Sequence, residues 1–401
     1  MAEHPSDDGG QTHDIRRRSL ILSGASVAGA LTITGCLGDH DGSSGVEDSN
    51  GQDDDGSAQS THIAEAEPQG QSIDRTAISW ADLGDLAGEI TIYSGRTRDQ
   101  IDPVFVALEE EYPDLTIHRD WDDNDVQVNQ LVQEGDATPA DLMYSQDPGA
   151  LGELKRNGLV QRLPEDVINA VPESFREPDG YWTGVTGRVR AILYNEDRWE
   201  NGDFPADILD FATDERFDGI ISTRPNSGTF RGFIQAMVEL EGEETTRAWI
   251  RDMIDNQNVQ LFSGGSDQAE AVNRGGDDDP IIALGNSYYA ARILMEDPDA
   301  PIRVTFTEND PGCLFSIAGV GVTNNVDNPT LVAEFIRHLL AAEGQEFMMQ
   351  ANGEYPVIQG IEYIGPLPDL EDVNPPTFDL SSFDMELQEA QDLLRDEGMT
   401  V

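Results

Sequence analysis

Ala283-Leu284-Gly285-Asn286-Ser287-Tyr288-Tyr289-Ala290 is the stretch on which the interpretation of this 401-residue chain depends. Asn286 and Ser287 are typical helix N-cap residues and good helix formers follow the tyrosines, so a strand should pass directly into a helix with both tyrosines in its first turn. Successive helical residues are turned by only about 100°, whereas neighbours in a strand face opposite ways. Both phenol oxygens can therefore converge in front of a helix N-terminus, where anions are also favoured.

Two phenols beside an anion pocket suit a small, hard, highly charged cation such as ferric iron. A free tyrosine titrates near pH ~10, but a bound metal ion stabilises the deprotonated ligand. The alternative is ordinary packing, in which the rings of Tyr288 and Tyr289 are half-buried and their hydroxyls contact water. The pair predicts a metal site only if the rest of the chain supplies a suitable cleft.

The charge balance of the chain is extreme, with 24 Lys and Arg against 78 Asp and Glu and a formal net charge of -54. Nucleic acids and anionic membrane surfaces are therefore poor partners, because their phosphates would be repelled. The acids are spread along the whole chain and Lys155 is its only lysine, which indicates adaptation to high salt. Hydrophobic residues make up 38% of the chain, so we expect two folded lobes rather than a disordered acidic protein.

The N-terminus has the features of an export signal. Arg16-Arg17-Arg18-Ser19-Leu20-Ile21 is typical of a twin-arginine signal, and the apolar run over residues 20–33 is too short to be a good membrane span. Ile33-Thr34-Gly35-Cys36 resembles a lipobox, in which Cys36 would carry a lipid after cleavage. Residues 1–36 are thus predicted to direct folded export and to anchor the protein outside the cell; a plain N-terminal anchor helix is the alternative.

Residues 37–79 are rich in Gly, Ser and Asp and are predicted to form a disordered acidic tether. If Cys36 is lipidated, Cys313 is the only other cysteine, so no intrachain disulfide forms and Cys313 is expected to be a small core residue.

The first folded segments alternate between strand and helix, which predicts an α/β fold with ligands at the carboxyl ends of strands. A β-branched strand over residues 89–95 precedes an amphipathic helix over 99–112, and another strand covers 140–145. The polar residues that follow these two strands, and so should face a cleft, are Arg96, Thr97, Gln146 and Asp147.

Two long extended runs, over residues 181–195 and 313–323, can cross between lobes. The turn over residues 225–230 opens a helix whose free N–H groups can hold a phosphate or carbonate, although ordinary cap chemistry is an alternative. Nothing in the chain resembles a nucleophile and base pair, a Walker loop or a nucleophile elbow, and the six histidines have no paired ligand spacing. We therefore expect a binding protein without catalytic residues, not an enzyme.

Seven segments occur in an order and spacing typical of one family: Ile-Thr-Ile-Tyr-Ser-Gly-Arg at 90–96, Pro-Ala-Asp-Leu-Met-Tyr-Ser at 139–145, Thr-Gly-Arg-Val-Arg-Ala-Ile-Leu-Tyr-Asn at 186–195, Pro-Asn-Ser-Gly-Thr-Phe at 225–230, Asn-Ser-Tyr-Tyr at 286–289, Asp-Pro-Gly at 310–312 and Gly-Glu-Tyr-Pro at 353–356. With them, residues 89–360 resemble the ferric-iron-binding proteins of ABC importers. The resemblance implies a two-lobed periplasmic-binding-protein fold of type II, with an interlobe ligand cleft and two crossing strands. It also implies lobe one at 88–187 plus 315–365, and lobe two at 188–314 plus 366–401.

By the same resemblance, the family's adjacent iron-binding tyrosines fall on Tyr288 and Tyr289. The residues that correspond to its synergistic-anion pocket are Ser227, Gly228, Thr229 and Asn286, with Arg188 as a charge partner. The chain departs from other members at Thr97, Gln146 and Phe230, where some have a histidine, a glutamate and a third tyrosine. Two phenolates leave about four positions of an octahedral ferric ion for an anion, water or a carboxylate such as Asp147.

The implied function is that of a monomeric, lipid-anchored receptor on the outer face of the cell membrane. It would capture Fe3+ with carbonate, phosphate or citrate and deliver it to the transmembrane permease subunits of an ABC transporter. The alternative is a small organic solute such as thiamine, a phosphonate or a polyamine, with Tyr288 and Tyr289 stacking on it or forming hydrogen bonds.

Overall fold

The computed structural model of the protein describes residues 62–73, 78–376, 385 and 387–400. The predicted twin-arginine signal, Cys36 and most of the predicted tether lie outside these residues. None of the helices that are described is long and apolar enough to cross a membrane.

Within the described residues the chain alternates between helices and strands, as the sequence predicts. The helices are α1 Arg98–Glu111, α2 Asn124–Glu134, α3 Pro148–Arg156, α4 Glu165–Ala170, α5 Gly228–Glu241, α6 Glu243–Asp255, α7 Gly265–Arg274, α8 Ser287–Glu296, α9 Pro329–Leu340, α10 Ala342–Asn352 and α11 Leu387–Asp396. The strands are β1 Gly88–Ser94, β2 Leu115–Trp121, β3 Leu142–Ser145, β4 Thr183–Asn195, β5 Ile221–Thr223, β6 Gln260–Leu261, β7 Ile282–Asn286, β8 Ile302–Thr305, β9 Phe315–Val322 and β10 Tyr355–Pro356.

The strands form a continuous path in the order β2-β1-β3-β9-β4-β7-β5-β6. At one end β2, β1 and β3 are parallel, and β9 runs antiparallel to β3. At the other end β7, β5 and β6 are parallel to one another. Each parallel set is the centre of one lobe, and both have the strand and helix alternation that parallel sheets require.

The long strand β4 connects the two lobes. Its first half, up to Val189, pairs with β9, whereas its second half, from Arg190, pairs with β7 and β8. The second crossing occurs just before β9, where the Arg190 N–H donates to the Leu314 carbonyl at 2.9 Å. The predicted two-lobed fold with two crossing strands is thus confirmed, and the crossings lie at the floor of the space between the lobes.

Each lobe has its own apolar core. In lobe one the strands β1 and β3 pack against α1 and α9, with Phe105 and Phe335 fully buried. In lobe two α5, α6 and the terminal helix α11 pack around Phe233 and Trp249. Cys313 is a buried free thiol, as expected.

The segment just before β1 is packed on lobe one, which corrects the C-terminal limit of the predicted tether. Ile63 and Ile73 are buried in the core of this lobe, and the buried Arg337 guanidinium donates to the Ala66 carbonyl at 2.9 Å. The predicted limit is based on the average polarity of the segment. A few isolated isoleucines are nevertheless enough to anchor it, because they pack against the apolar core of lobe one.

Candidate functional site

The junction of β7 and α8 places the two tyrosines side by side. Asn286 is the N-cap of α8, so Tyr288 and Tyr289 lie in the first turn, as predicted. Their ring centroids are 4.2 Å apart with an interplanar angle of 39°. Tyr288 is buried and Tyr289 is half-buried. The short angular step of the helix is what brings the two phenols to one place.

Each ring is held by groups from other elements. The Arg224 Nη1 donates to the Tyr289 Oη at 3.4 Å, and the guanidinium of Arg292 lies 5.3 Å from the centroid of the Tyr288 ring. Gly265, the first residue of α7, touches the Tyr289 ring so closely that a Cβ at this position would overlap it. The glycine is therefore required for the position of the phenol.

Burial raises the pKa of Tyr288, and the neighbouring Tyr289 and its hydrogen bond add to this effect, whereas the positive charge of Arg188 opposes it. Without a bound cation, Tyr288 is thus a neutral phenol at physiological pH. A cation that binds there must displace the proton, so cation binding and proton release are coupled.

Behind Tyr288 lies a buried charge cluster, which we define as Arg96, Arg188 and Glu354. The Nη2 of Arg96 donates to both carboxylate oxygens of Glu354, at 3.0 and 3.1 Å, and the Nη1 of Arg188 lies 3.9 Å from the same carboxylate. Two cations against one anion leave this cluster with a net positive charge, which favours a phenolate at Tyr288.

The structure places the predicted residues Arg96 and Arg188 in this charge cluster. Arg96 is only 1% exposed and does not face an open cleft, because it is paired with Glu354 from a distant part of the chain. Arg188 also points into the cluster, where its Nη2 donates to the Gln146 carbonyl, and it is absent from the lining of the anion-pocket cavity described below.

The four residues predicted to form the anion pocket do come together. The Nδ2 of Asn286 donates to the Thr229 Oγ1 at 3.1 Å, and Ser227, the N-cap of α5, accepts from the Phe230 N–H at 3.1 Å. Gly228 is the first residue of α5. The end of β7 and the start of α5 are thereby fixed against each other, with the N-terminus of a 14-residue helix pointing into the interlobe space.

Arg190 is the functional candidate that the sequence interpretation missed. It stands directly opposite Asn286 in the pairing of β4 with β7, and it is 5% exposed. Its Nη2 donates to the Leu284 carbonyl at 3.4 Å, and its guanidinium lies 4.0 Å from the centroid of the Phe233 ring. Burial lowers the pKa of Arg190 to about 9, so it stays charged at neutral pH.

The other predicted cleft residues have structural partners of their own. Asp147 is the N-cap of α3 and accepts from the Ala150 N–H at 3.1 Å and from the Asn124 side chain. Thr97 is the exposed N-cap of α1, and the Gln146 N–H donates to the Asn124 Oδ1 at 3.2 Å. Asp147 lies at the cavity with both of its oxygens engaged, which makes it a poor cation ligand in this arrangement.

A cavity of about 290 Å³ lies between the lobes. Helices α2 and α3 line it from lobe one and α5 lines it from lobe two, while Arg190, Asn286 and Leu314 are at its floor. Asn286 is among the residues that line this cavity, whereas Tyr288 and Tyr289 are not. Among the described residues no group of three or more His, Cys, Asp or Glu side chains has the arrangement of a metal site.

Comparisons with known proteins agree with this architecture. The family model described as bacterial extracellular solute-binding protein matches residues 137–379. The chain is 29% identical over 247 residues to Iron uptake protein A2 of Synechocystis sp., covering 58% of this chain and 69% of that protein. It is also 29% identical over 252 residues to the Fe(3+)-binding periplasmic protein of Serratia marcescens, covering 63% and 74%. The solved structure of iron-bound HitA from Pseudomonas aeruginosa has the same fold, with a TM-score of 0.70, 24% identity and coverage of 77% of this chain and 99% of that one.

Proposed function

Because the chain belongs to the family of bacterial extracellular solute-binding proteins, we propose that it captures ferric iron between its lobes and delivers it to an ABC permease. The observation that carries the proposal is the pair of adjacent phenols at Tyr288 and Tyr289, packed against a cluster with net positive charge. The iron-binding relatives add support, since both named proteins match most of their length to this chain.

The chemistry follows from the surroundings of the phenols. Ferric iron is a hard, trivalent cation that stabilises phenolates, so each phenol loses its proton when the ion binds. The positive charge of Arg96 and Arg188 lowers the cost of the anion at Tyr288, and Glu354 keeps these two arginines in place. Iron is the cargo here, and the two phenolates are its ligands.

The remaining coordination positions are filled by an anion and water. Ser227, Gly228, Thr229 and Asn286 hold the anion at the start of α5, and carbonate, phosphate and citrate all have suitable oxygen donors. Arg190 replaces Arg188 as the charge partner of this pocket, since it is the arginine that lies opposite Asn286.

Capture involves closure of the two lobes about the crossings in β4 and before β9. In this proposal lobe one comprises 88–187 plus 315–365 and lobe two comprises 188–314 plus 366–401. The protein works as a monomer without catalysis or nucleic acid binding. It is exported by the twin-arginine route, and a lipid on Cys36 holds it outside the cell beside the permease.

The test is a titration of iron-stripped protein with ferric citrate. We expect a visible phenolate-to-iron charge-transfer band that is lost when Tyr288→Phe and Tyr289→Phe are combined. Tyr194→Phe is the matched control, because Tyr194 is a half-buried phenol of lobe two whose ring packs against Phe204. No band in the parent protein, or an unchanged band in the double variant, would reject the proposal, and an organic solute in place of iron would appear in the mass spectrum of the purified protein.

A further inference from the structure

Arg224 is the positively charged side chain that contacts Tyr289. It follows β5 directly, at the carboxyl end of that strand, and it is half-buried. Its Nε donates to the Ser263 carbonyl at 2.9 Å, and its Nη1 donates to the Tyr289 Oη at 3.4 Å. The N–H groups of a guanidinium have fixed directions in one plane, so the bond to Ser263 sets the direction in which Nη1 points. Arg224 therefore connects the loop after β6 to the first turn of α8.

The charge of Arg224 is not neutralised by a carboxylate. In the part of the chain that the structure describes, its side chain has the Ser263 carbonyl and the Tyr289 phenol as partners, and no Asp or Glu lies within ion-pair distance. The chain has 78 acids against 24 bases, and other arginines of lobe two, such as Arg247 and Arg274, do pair with acids. The free charge is thus available to the Tyr289 oxygen when that oxygen becomes negative on binding a cation.

The phenol oxygen of Tyr289 also lies at the start of α7. Its Oη is 2.5 Å from the position that a Cβ on Gly265 would take, and Gly264 is the N-cap of this helix. A helix N-terminus carries a partial positive charge, which acts in the same direction as the charge of Arg224. Two separate features of lobe two therefore favour a negative oxygen at this place.

The two phenols depend on different positive charges. Tyr288 packs against the buried charge cluster defined above, whereas Arg224 contacts Tyr289. The main chain of Arg224 also holds the anion turn, since its carbonyl accepts from the Ser227 Oγ at 3.2 Å. A change of the Arg224 side chain leaves this carbonyl in place, so the guanidinium can be tested separately from the turn.

We propose that Arg224 is a positioning residue for the second iron ligand: it holds the Tyr289 oxygen at the start of α7 and stabilises it as a phenolate when iron binds. The inference rests on the iron function proposed above. A hydrogen bond to a phenolate is charge-assisted, and so it is shorter and stronger than one to a neutral phenol. The contact of 3.4 Å should therefore shorten when iron displaces the proton of Tyr289.

The position of the phenolate-to-iron charge-transfer band at saturating ferric citrate tests this role. A hydrogen bond from a positive group lowers the energy of the phenolate electrons, so its loss in Arg224→Gln should move the band to longer wavelength. Arg224→Lys keeps the charge and should restore most of the parent position. The shift caused by Arg224→Gln should also occur in a Tyr288→Phe background, where Tyr289 is the remaining phenolate, and should be absent from a Tyr289→Phe background.

A second measurement needs no iron. In protein with 13C-labelled tyrosine rings, the resonance of Tyr289 is the one that is lost in Tyr289→Phe, and it should move in Arg224→Gln because the donor to its oxygen is gone. Arg198→Gln is the matched control for both measurements. Arg198 is a half-buried arginine of lobe two whose Nη1 donates to the Gly276 carbonyl at 2.7 Å, so its loss should change neither the band nor the resonance.

The outcomes separate this inference from the proposed function. An unmoved band in Arg224→Gln, or the same shift in the Tyr289→Phe background, would overturn the inference and leave iron capture intact. An unmoved Tyr289 resonance in Arg224→Gln would overturn the positioning contact itself. Absence of the band from the parent protein, together with a moved Tyr289 resonance, would overturn the iron function and leave Arg224 as the residue that holds this phenol.

Discussion

Glu354 offers a sharp test of how the site is built, because it is the only acid in the buried charge cluster. Its carboxylate accepts from Arg96 at 3.0 and 3.1 Å and from the Thr186 hydroxyl at 2.9 Å, and Arg188 lies 3.9 Å away. In Glu354→Gln both arginines lose their counter-charge, and the new amide group points an N–H at a donor. Removal of one partner of a buried ion pair costs about 3–5 kcal/mol in the free energy of unfolding, because a buried charge is left uncompensated.

The measurement is urea unfolding at fixed salt, followed by circular dichroism, for the parent protein and the variant. Glu243→Gln is the matched control, since Glu243 pairs with Arg247 at 2.9 Å but is 56% exposed; its loss should cost about 0–1 kcal/mol. Added salt should reduce the small effect of the control and leave the large effect of Glu354→Gln nearly unchanged. A change of less than about 1 kcal/mol in Glu354→Gln would show that the cluster does not depend on this carboxylate.

Three further predictions concern packing, pH and ligand binding. Ile63→Ala should lower the free energy of unfolding by about 2–5 kcal/mol in the same urea assay, because Ile63 is fully buried. Ile364→Ala, at a 55% exposed position, is the control and should be nearly neutral. A similar loss of unfolding free energy in the two variants would contradict the packing of the segment before β1. Burial lowers the pKa of His338, so in weak acid the unfolded chain binds a proton that the folded chain does not. As the pH is lowered from ~6.5, the free energy of unfolding should therefore decrease by up to about 1.4 kcal/mol per pH unit. The same dependence on pH in His338→Gln would refute this. Ferric citrate at a hundredfold excess over its Kd should stabilise the parent protein by about 2.7 kcal/mol in a thermal melt, and an equal gain in the combined Tyr288→Phe and Tyr289→Phe variant would contradict the assigned ligands.

The local parts of the site follow from the sequence, since the signals for them lie within a few residues. Asn286 before two tyrosines and good helix formers predicts a helix start, and α8 begins where expected. In the same way, Ser227 predicts the start of α5. Helix α6 is absent from the sequence predictions, although Trp249, Ile250 and Met253 have helical spacing and are buried.

The parts that could not be predicted depend on contacts between distant segments. Arg96 and Glu354 are 258 positions apart, and only the folded lobe brings them together. Arg188 and Arg190 both lie on β4, but the pairing of Arg190 with Asn286 is set by the register of two antiparallel strands. Sequence similarity to a family does not define that register, so Arg190 cannot be recognised as a candidate charge partner from the motif alone.

The acidity of the chain and the buried arginines between the lobes have a common physical explanation. At an ionic strength of 1 M the Debye length is about 3 Å, so the field of the acidic surface is screened within the first layer of solvent. At that ionic strength an anion is neither repelled nor attracted by the acidic surface at a distance. Recognition then depends on charges that salt cannot reach. Arg96, Arg188 and Arg190 are such charges, since all three are buried. Arg96 and Arg188 lie in the charge cluster behind Tyr288, and Arg190 stands opposite Asn286 in the pairing of β4 with β7. In the proposed function, selectivity for the anion in a protein with a net charge of -54 therefore resides in these buried arginines and not in the acidic surface.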